Sequence, residues 1–169
     1  GFVSLAVLVS GLILGFVYLN FRDQLRESLR QRLVNIVTLA ALAQDGDAFA
    51  TIYSPDDQEY QRVWAQNTAI LESDSDLVFV YTMRVDEEGI YLVVDAGDPT
   101  GDGFSSYGTR YYEPGPVLSE SYRPIQQPLS EETFYQDEYG RFLSAYAPIV
   151  SDSGQVTGII GADISANKI

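Results

Sequence analysis

The first 21 residues, GFVSLAVLVSGLILGFVYLNF, carry no charged side chain before Arg22. As a helix this run reaches ~31 Å, about the hydrocarbon thickness of a bilayer. Leu25, Leu29, Leu33, Ile36, Ala40 and Ala43 then recur at steps of four and three. That is one face of a helix that continues until Asp45-Gly46-Asp47 stops it. Ser54-Pro55-Asp56-Asp57 predicts the start of a second helix: Ser caps, Pro suits the first turn, and the acids favour the positive end of the helix dipole. Tyr60, Val63, Trp64, Asn67, Ile70 and Leu71 share one face of it, and it ends near Ser73. The period then falls to two. Leu77–Arg84 and Ile90–Asp95, rich in β-branched and aromatic residues, flank the turn Asp86-Glu87-Glu88-Gly89 and predict a hairpin. Residues 96–131 are rich in Gly and Pro, with a short helix near Val117–Tyr122. Thr133–Gln136, Arg141–Val150 and Gln155–Asp163 predict a three-strand meander.

This order predicts an α+β fold, a five-stranded antiparallel sheet with helices on one face and a long N-terminal helix continuous with a transmembrane helix. The chain divides into a transmembrane helix at 1–21, a membrane-proximal helix at 22–44 and a folded head at 45–165. Residues 166–169 begin a link to an expected second span. With Gly1 first and Met83 the only methionine, the sequence reads as a piece of a longer product. Val17-Tyr18-Leu19-Asn20 fits a signal-peptide cleavage site poorly, so the run reads as an uncleaved anchor.

Composition narrows the chemistry. The 169 residues include no His and no Cys, which excludes thiol catalysis, disulfides, His-based acid–base chemistry and a His- or Cys-ligated zinc site. The net charge is −14. Arg22, Arg26, Arg30 and Arg32 stand against Asp23 and Glu27 just after the span, while from residue 33 onward there are 6 basic and 22 acidic residues. So acidic a head repels nucleic acid and anionic lipid, which excludes nucleic acid as a partner. The arginines alone point to a cytoplasmic head, although they alternate with acids.

The order of elements resembles the extracytoplasmic Cache (PAS-like, PDC) sensor domains of bacterial transmembrane receptors. The likeness rests on Phe79-Val80-Tyr81-Thr82-Met83-Arg84, on Leu92-Val93-Val94-Asp95-Ala96, and above all on SAYAPIVSDSGQVTGIIGADIS at residues 144–165. It implies a head held outside the bacterial inner membrane between two spans. It also implies a small ligand between sheet and irregular insert, and a cytoplasmic histidine kinase, cyclase or chemotaxis module reading the signal. It implies no catalysis in this segment. That orientation outweighs the hint from the arginines.

Alternation separates the two faces of the sheet. Phe142, Ser144, Tyr146 and Pro148 lie on one face; Leu143, Ala145 and Ala147, small and apolar, lie on the face that receives helices. Tyr81 is the comparable polar-tipped residue on the first strand, and Asp95 and Asp163 end two others. The insert adds Tyr107, Arg110, Tyr111, Tyr112, Tyr122 and Arg123. The expected ligand site is therefore Tyr81, Asp95, Arg110, Tyr112, Arg123, Ser144, Tyr146 and Asp163. In this reading Arg123 grips an acid group of a small polar ligand and the tyrosines wall the site, while Asp95 or Asp163 offers the alternative of holding an amine. Candidate ligands are an organic acid, an amino acid or an amine, with no cofactor. Asp95, Asp98 and Asp102 crowd a Gly-rich loop but lack the EF-hand spacing, so they read as a turn and not as a metal site. Gly158 and Gly161 read as places of close strand–helix packing.

The amphipathic stretch from Leu25 to Ala43 either packs on its own head or forms a parallel homodimer. Two rival functions share the layout. A pilin-like subunit also starts with an apolar helix, but the acid usual near that start is missing before Asp23. A membrane-anchored hydrolase would need a carboxylate pair, and nothing in the sequence picks one out.

Overall fold

The computed structural model describes all residues except 102, 113, 121–124, 138 and 169. The apolar run and the amphipathic stretch form one unbroken helix, α1 (Phe2–Leu42). It is long and apolar enough to cross a membrane, and its side chains up to Leu25 are exposed on the isolated chain. Beyond them Leu29, Leu33, Val37, Ala40 and Ala41 are buried. Val37 and Ala41 take the places expected of Ile36, which is half-buried, and Ala43, which is exposed. The buried stripe follows the true 3.6-residue turn once the helix meets the sheet.

Asp45 ends this rod and starts another helix. Its carboxylate accepts the Ala48 N–H at 3.0 Å, capping the short α2 (Gly46–Ala50), which the sequence pattern did not predict. Arg84 binds carbonyls in the last turn of α2 and just beyond it, donating to Phe49 O at 2.6 Å and Ile52 O at 2.7 Å. The next helix, α3 (Gln58–Ser73), begins three residues later than expected, with Asp57 at the cap position in place of Ser54. Asp57 is the reason: its Oδ2 accepts the N–H groups of Tyr53 at 2.7 Å and Ser54 at 2.9 Å, which holds 53–57 as a turn.

The hairpin is present as β1 (Leu77–Asp86) and β2 (Gly89–Asp95). After the insert, with α4 (Pro116–Glu120), come β3 (Leu129–Ser130), β4 (Tyr135–Gln136), β5 (Arg141–Val150) and β6 (Val156–Ser165), then a single 3-10 turn at Ala166–Lys168. All pairings are antiparallel, in the order β2-β1-β6-β5-β3. Six strands replace the expected five, because the two-residue β3 and β4 pair successive parts of β5 and together form one edge. Two residues of pairing leave no alternation to read.

The sheet carries two cores. On one face α1, α2 and α3 pack against Val80, Val94, Leu143, Ala145, Ala147, Ile160, Ala162 and Ile164. Gly158 lies on this face and leaves room for the Phe49 ring. On the other face Tyr111 and Leu118 of the insert pack over Met83, Leu92, Tyr146 and Ile159.

Candidate functional site

The cross-strand register builds a polar centre on the insert-covered face. Gly161 of β6 is opposite Tyr81 of β1 on one side and Tyr146 of β5 on the other; two residues on, Asp163 is flanked by Phe79 and Ser144. A Cβ at Gly161 would come within 2.6 Å of the Tyr81 ring. Gly161 therefore makes way for a tyrosine, not for a helix as its sequence context had implied. The Tyr81 ring leans across it, and its hydroxyl donates to Asp163 Oδ1 at 3.0 Å. Ser144 also binds the Asp163 carboxylate. Asp95, opposite Tyr81 on β2, accepts the Ser105 N–H at 2.7 Å and so ties down the loop after β2.

Around this centre lies a cavity of about 30 Å³, lined by Tyr81, Asp95, Tyr111, Asp137, Tyr139 and Asp163 among others. A space of this size holds about one or two waters. The Asp137 carboxylate accepts the N–H groups of Tyr139 at 2.8 Å and Gly140 at 3.0 Å with one oxygen, and the Tyr111 hydroxyl at 2.6 Å with the other. Behind the wall, the Tyr135 hydroxyl meets Ser144 Oγ at 3.0 Å and the Tyr146 hydroxyl at 3.3 Å. Across the mouth, Ser105 Oγ and the Tyr139 hydroxyl meet at 3.1 Å between two loops.

Burial dominates the electrostatics. It raises the Asp163 carboxyl to about 7, against the opposing pull of the bonds from Ser144 and Tyr81, with Asp137 and Asp95 adding to the rise. Asp95 is raised to about 6 by burial, opposed by the N–H groups of Ser105 and Ala96. Burial also raises Tyr81, Tyr111, Tyr135 and Tyr146, so these hydroxyls stay neutral donors. Among the described residues no Lys or Arg lines the cavity.

Of the eight expected site residues, Tyr81, Asp95 and Asp163 line the cavity. Ser144 and Tyr146 are fully buried behind it as support. Arg110 and Tyr112 do not reach it. The Arg110 guanidinium lies 5.3 Å over the Tyr112 ring in a separate groove beyond Tyr111, and Tyr112 is 72% exposed. The segment carrying them runs along the outer edge of β2, with Tyr111 N–H bonded to Ile90 O, so only Tyr111 turns inward. Arg123 lies outside the described residues. In the loop after β2, Asp95 turns inward to Ser105 while Asp98 forms a local turn with Thr100, so these two acids do not converge. Tyr111, noted among the tyrosines of the insert, lines the cavity although the expected site did not include it, and the sequence reading missed Phe79, Ser105, Asp137 and Tyr139. Phe79 was recoverable, since it shares the parity of Tyr81 on β1. Asp137 was not, because its turn-forming role hides its second, inward contact.

No protein-family model matches the chain, and no curated protein matches it in sequence. Among solved structures the chain is similar to the ligand-binding domain of the Campylobacter jejuni chemoreceptor Tlp3, solved in complex with 4-methylisoleucine. The two share 13% identity with a TM-score of 0.40, over 85% of this chain and 61% of that one. The chain thus spans less than two thirds of that domain's length.

Proposed function

We propose that this chain is the extracytoplasmic ligand-binding domain of a membrane-anchored bacterial receptor of the Cache type, binding a small polar molecule and signalling through α1. The observation that carries this reading is a polar cavity roofed by loops and connected by side chains to a helix that runs on into an apolar span. The connection is local. Glu131, buried beneath α4, accepts the Val117 N–H at 3.0 Å, and its own N–H donates to Ser144 O at 2.9 Å. On the other side, Arg30 Nε of α1 donates to Glu131 O at 2.9 Å and Ser130 Oγ at 3.1 Å. A ligand that repositions the insert or Ser144 thereby shifts the purchase of α1 on the sheet edge. Such a ligand moves the helix only by the difference in its affinity for the two arrangements. A histidine kinase, cyclase or chemotaxis module on the far side of the membrane reads that movement. In the receptor, α1 pairs with a second copy along the face carrying Ser28, Gln31, Asn35 and Leu39, which its own head leaves open.

The absence of cysteine from the chain allows a direct test. Asn35→Cys in the full chain, held in detergent or nanodiscs, is expected to form an intermolecular disulfide. A compound that raises the melting temperature is expected to change the rate at which that disulfide forms. Stabilising compounds that leave the rate untouched would refute signalling through α1.

A further inference from the structure

We propose that the groove outside the edge of β2 is a second binding site, which takes the carboxylate of a small organic acid on Arg110 and the apolar body of that acid on its floor. The proposal goes beyond the sensor reading and does not depend on it, because the groove and the cavity lie on opposite sides of Tyr111.

The chain holds 24 acidic and 10 basic residues, so a positive group is seldom left without a carboxylate. Arg22 and Arg26 meet Asp23, Arg30 meets Glu27, Arg32 meets Asp74 and Asp76, and Arg62 meets Glu59. Arg84 is taken up by two carbonyls. Arg110 differs. Among the described residues it has no carboxylate within ion-pair distance, and its guanidinium rests on the Tyr112 ring, 5.3 Å from the centroid. Arg141 shares that lack, over Phe134, but does not line this groove.

The guanidinium is placed before any ligand arrives. Residues 108–111 run along β2 as an added strand: Gly108 N–H donates to Leu92 O at 2.8 Å, Leu92 N–H to Thr109 O at 2.9 Å, and Tyr111 N–H to Ile90 O at 2.9 Å. Alternation puts Arg110 and Tyr112 on one side of this segment and Tyr111 on the other. Gly89, at the tip of the hairpin, makes room for the arginine, since a Cβ there would lie 3.2 Å from its Nε and Nη2. The Tyr112 ring supports the flat of the guanidinium, which leaves the in-plane N–H groups for the two parallel bonds a carboxylate accepts. Holding these donors in advance lowers the ordering cost of binding.

Beside Arg110 the groove is apolar, formed by Val85, Ile90, Pro114, Leu118 and the Tyr111 ring. Its floor is firm: Ile90, Leu118 and Tyr111 belong to the buried core on this face, and the Tyr111 hydroxyl is tied to Asp137 at 2.6 Å. The volume is about 190 Å³, below that of a drug-sized pocket and suited to an acid with a single ring or short chain. Asp86 also lines the groove, but its Oδ1 accepts the N–H groups of Glu88 at 2.8 Å and Gly89 at 3.1 Å, so this carboxylate serves the hairpin turn.

The test uses the full chain in nanodiscs of neutral lipid with 4-fluorobenzoate, followed by broadening of its own fluorine NMR line against empty nanodiscs. The contrasts are 4-fluorobenzyl alcohol, which keeps the ring without the charge, and acetate, which keeps the charge without the ring. 4-Fluorobenzoate is expected to bind saturably, and each contrast about tenfold more weakly or not at all. Arg110 is exposed, so Arg110→Gln should melt within about 2 °C of the parent while weakening binding. The loss should be about tenfold or more. Arg110→Lys, with the charge but not the paired donors, should fall between. Arg141→Gln and Asp163→Asn should both bind as the parent does. Binding that survives Arg110→Gln, that the alcohol matches, or that Arg141→Gln loses equally overturns the proposal, as does no binding at millimolar concentration. Loss in Asp163→Asn with retention in Arg110→Gln would put the acid in the inner cavity, which overturns the groove and leaves the sensor reading standing.

Discussion

The two faces of the sheet are built from the same strands and read alternately from the same residues, yet they follow opposite rules. On β5 and β6 the helix-facing positions are Leu143, Ala145, Ala147, Ile149, Ile160, Ala162 and Ile164, all buried and all apolar. The positions between them include Ser144, Tyr146, Gly161 and Asp163, equally buried but polar or empty. The first face gains stability from every atom it hides. The second hides carboxylates and hydroxyls at a cost, and keeps a space that close packing would otherwise remove. Burial alone does not separate core from site here; the chemistry of what is buried does.

The widest separation between the faces should come from removing a ring on the helix side. Phe49 is fully buried between α2 and β6, over Gly158 and under the Arg84 guanidinium, which sits 5.3 Å from its ring. Phe49→Ala should cost about 3–5 kcal/mol of folding stability. Tyr146→Phe on the opposite face removes only a hydroxyl whose nearest partner, Tyr135, keeps Ser144 and Tyr111; it should cost about 1 kcal/mol or less. Denaturant unfolding of the two variants compares the faces directly. Equal losses would mean that the polar face is as tightly committed to stability as the apolar one.

Asp163→Asn should show the opposite sign. In the unfolded chain this carboxyl titrates near 4, whereas burial raises it to about 7 in the folded protein. Below about pH 4 both states hold the proton. Between about 4 and 7 the unfolded state releases it first, so the folded ligand-free protein loses stability as pH rises, and above 7 the loss is complete. Asn carries no such charge. The variant should match the parent near pH 4 and exceed it by a few kcal/mol at pH 8. Melting curves from pH 4 to pH 8 read the difference. A gap that stays constant or narrows with pH would show that Asp163 is not held in the protonated form.

The same contrast explains what the sequence disclosed. The helix-side core was legible because Leu29, Leu33, Val63 and Leu143 repeat at the periods of their own elements. The polar face was legible only where it sits on long strands: Ser144 and Tyr146 follow from the alternation of β5, Tyr81 from its polar tip on β1, and Asp95 and Asp163 from their places at strand ends. Asp137, Tyr139 and Ser105 enter the cavity from turns and loops, where side-chain direction is set by hydrogen bonds and not by period. Arg110 misled for a related reason. It is conspicuous in an acidic chain, but the pairing of its segment with the edge of β2 turns Tyr111 inward in its place.

Arg30→Ala tests the bridge between the faces. It removes the two bonds to Ser130 and Glu131 and an exposed pair with Glu27, at a cost of about 1 kcal/mol. Ligand affinity should hold within a factor of about two, because the cavity is untouched. The ligand-dependent change in Asn35→Cys cross-linking should shrink or vanish. If it persists in full, the signal leaves the head by another route, such as the Arg32 contacts with Asp74 and Asp76.

The smallest effect belongs to the mouth of the cavity. Tyr139→Phe deletes the hydroxyl that meets Ser105 but keeps the ring beside Phe79 and Tyr111. Ser105 then bonds to water at the opening, so stability should change by about 0.5 kcal/mol or less. The rates are where the change should appear. The latch must break for a ligand to enter and again for it to leave, so association and dissociation should both quicken while Kd barely moves. The chain carries its own reporter. Trp64, its single tryptophan, donates from Nε1 to the Gly97 carbonyl at 3.1 Å, where the covering loop begins. Stopped-flow fluorescence of Trp64 during ligand mixing should therefore follow loop movement directly, and faster in Tyr139→Phe than in the parent. Unchanged rates would place the entry path elsewhere on the insert, whereas a Kd weakened tenfold would mean that the Tyr139 hydroxyl touches the ligand itself.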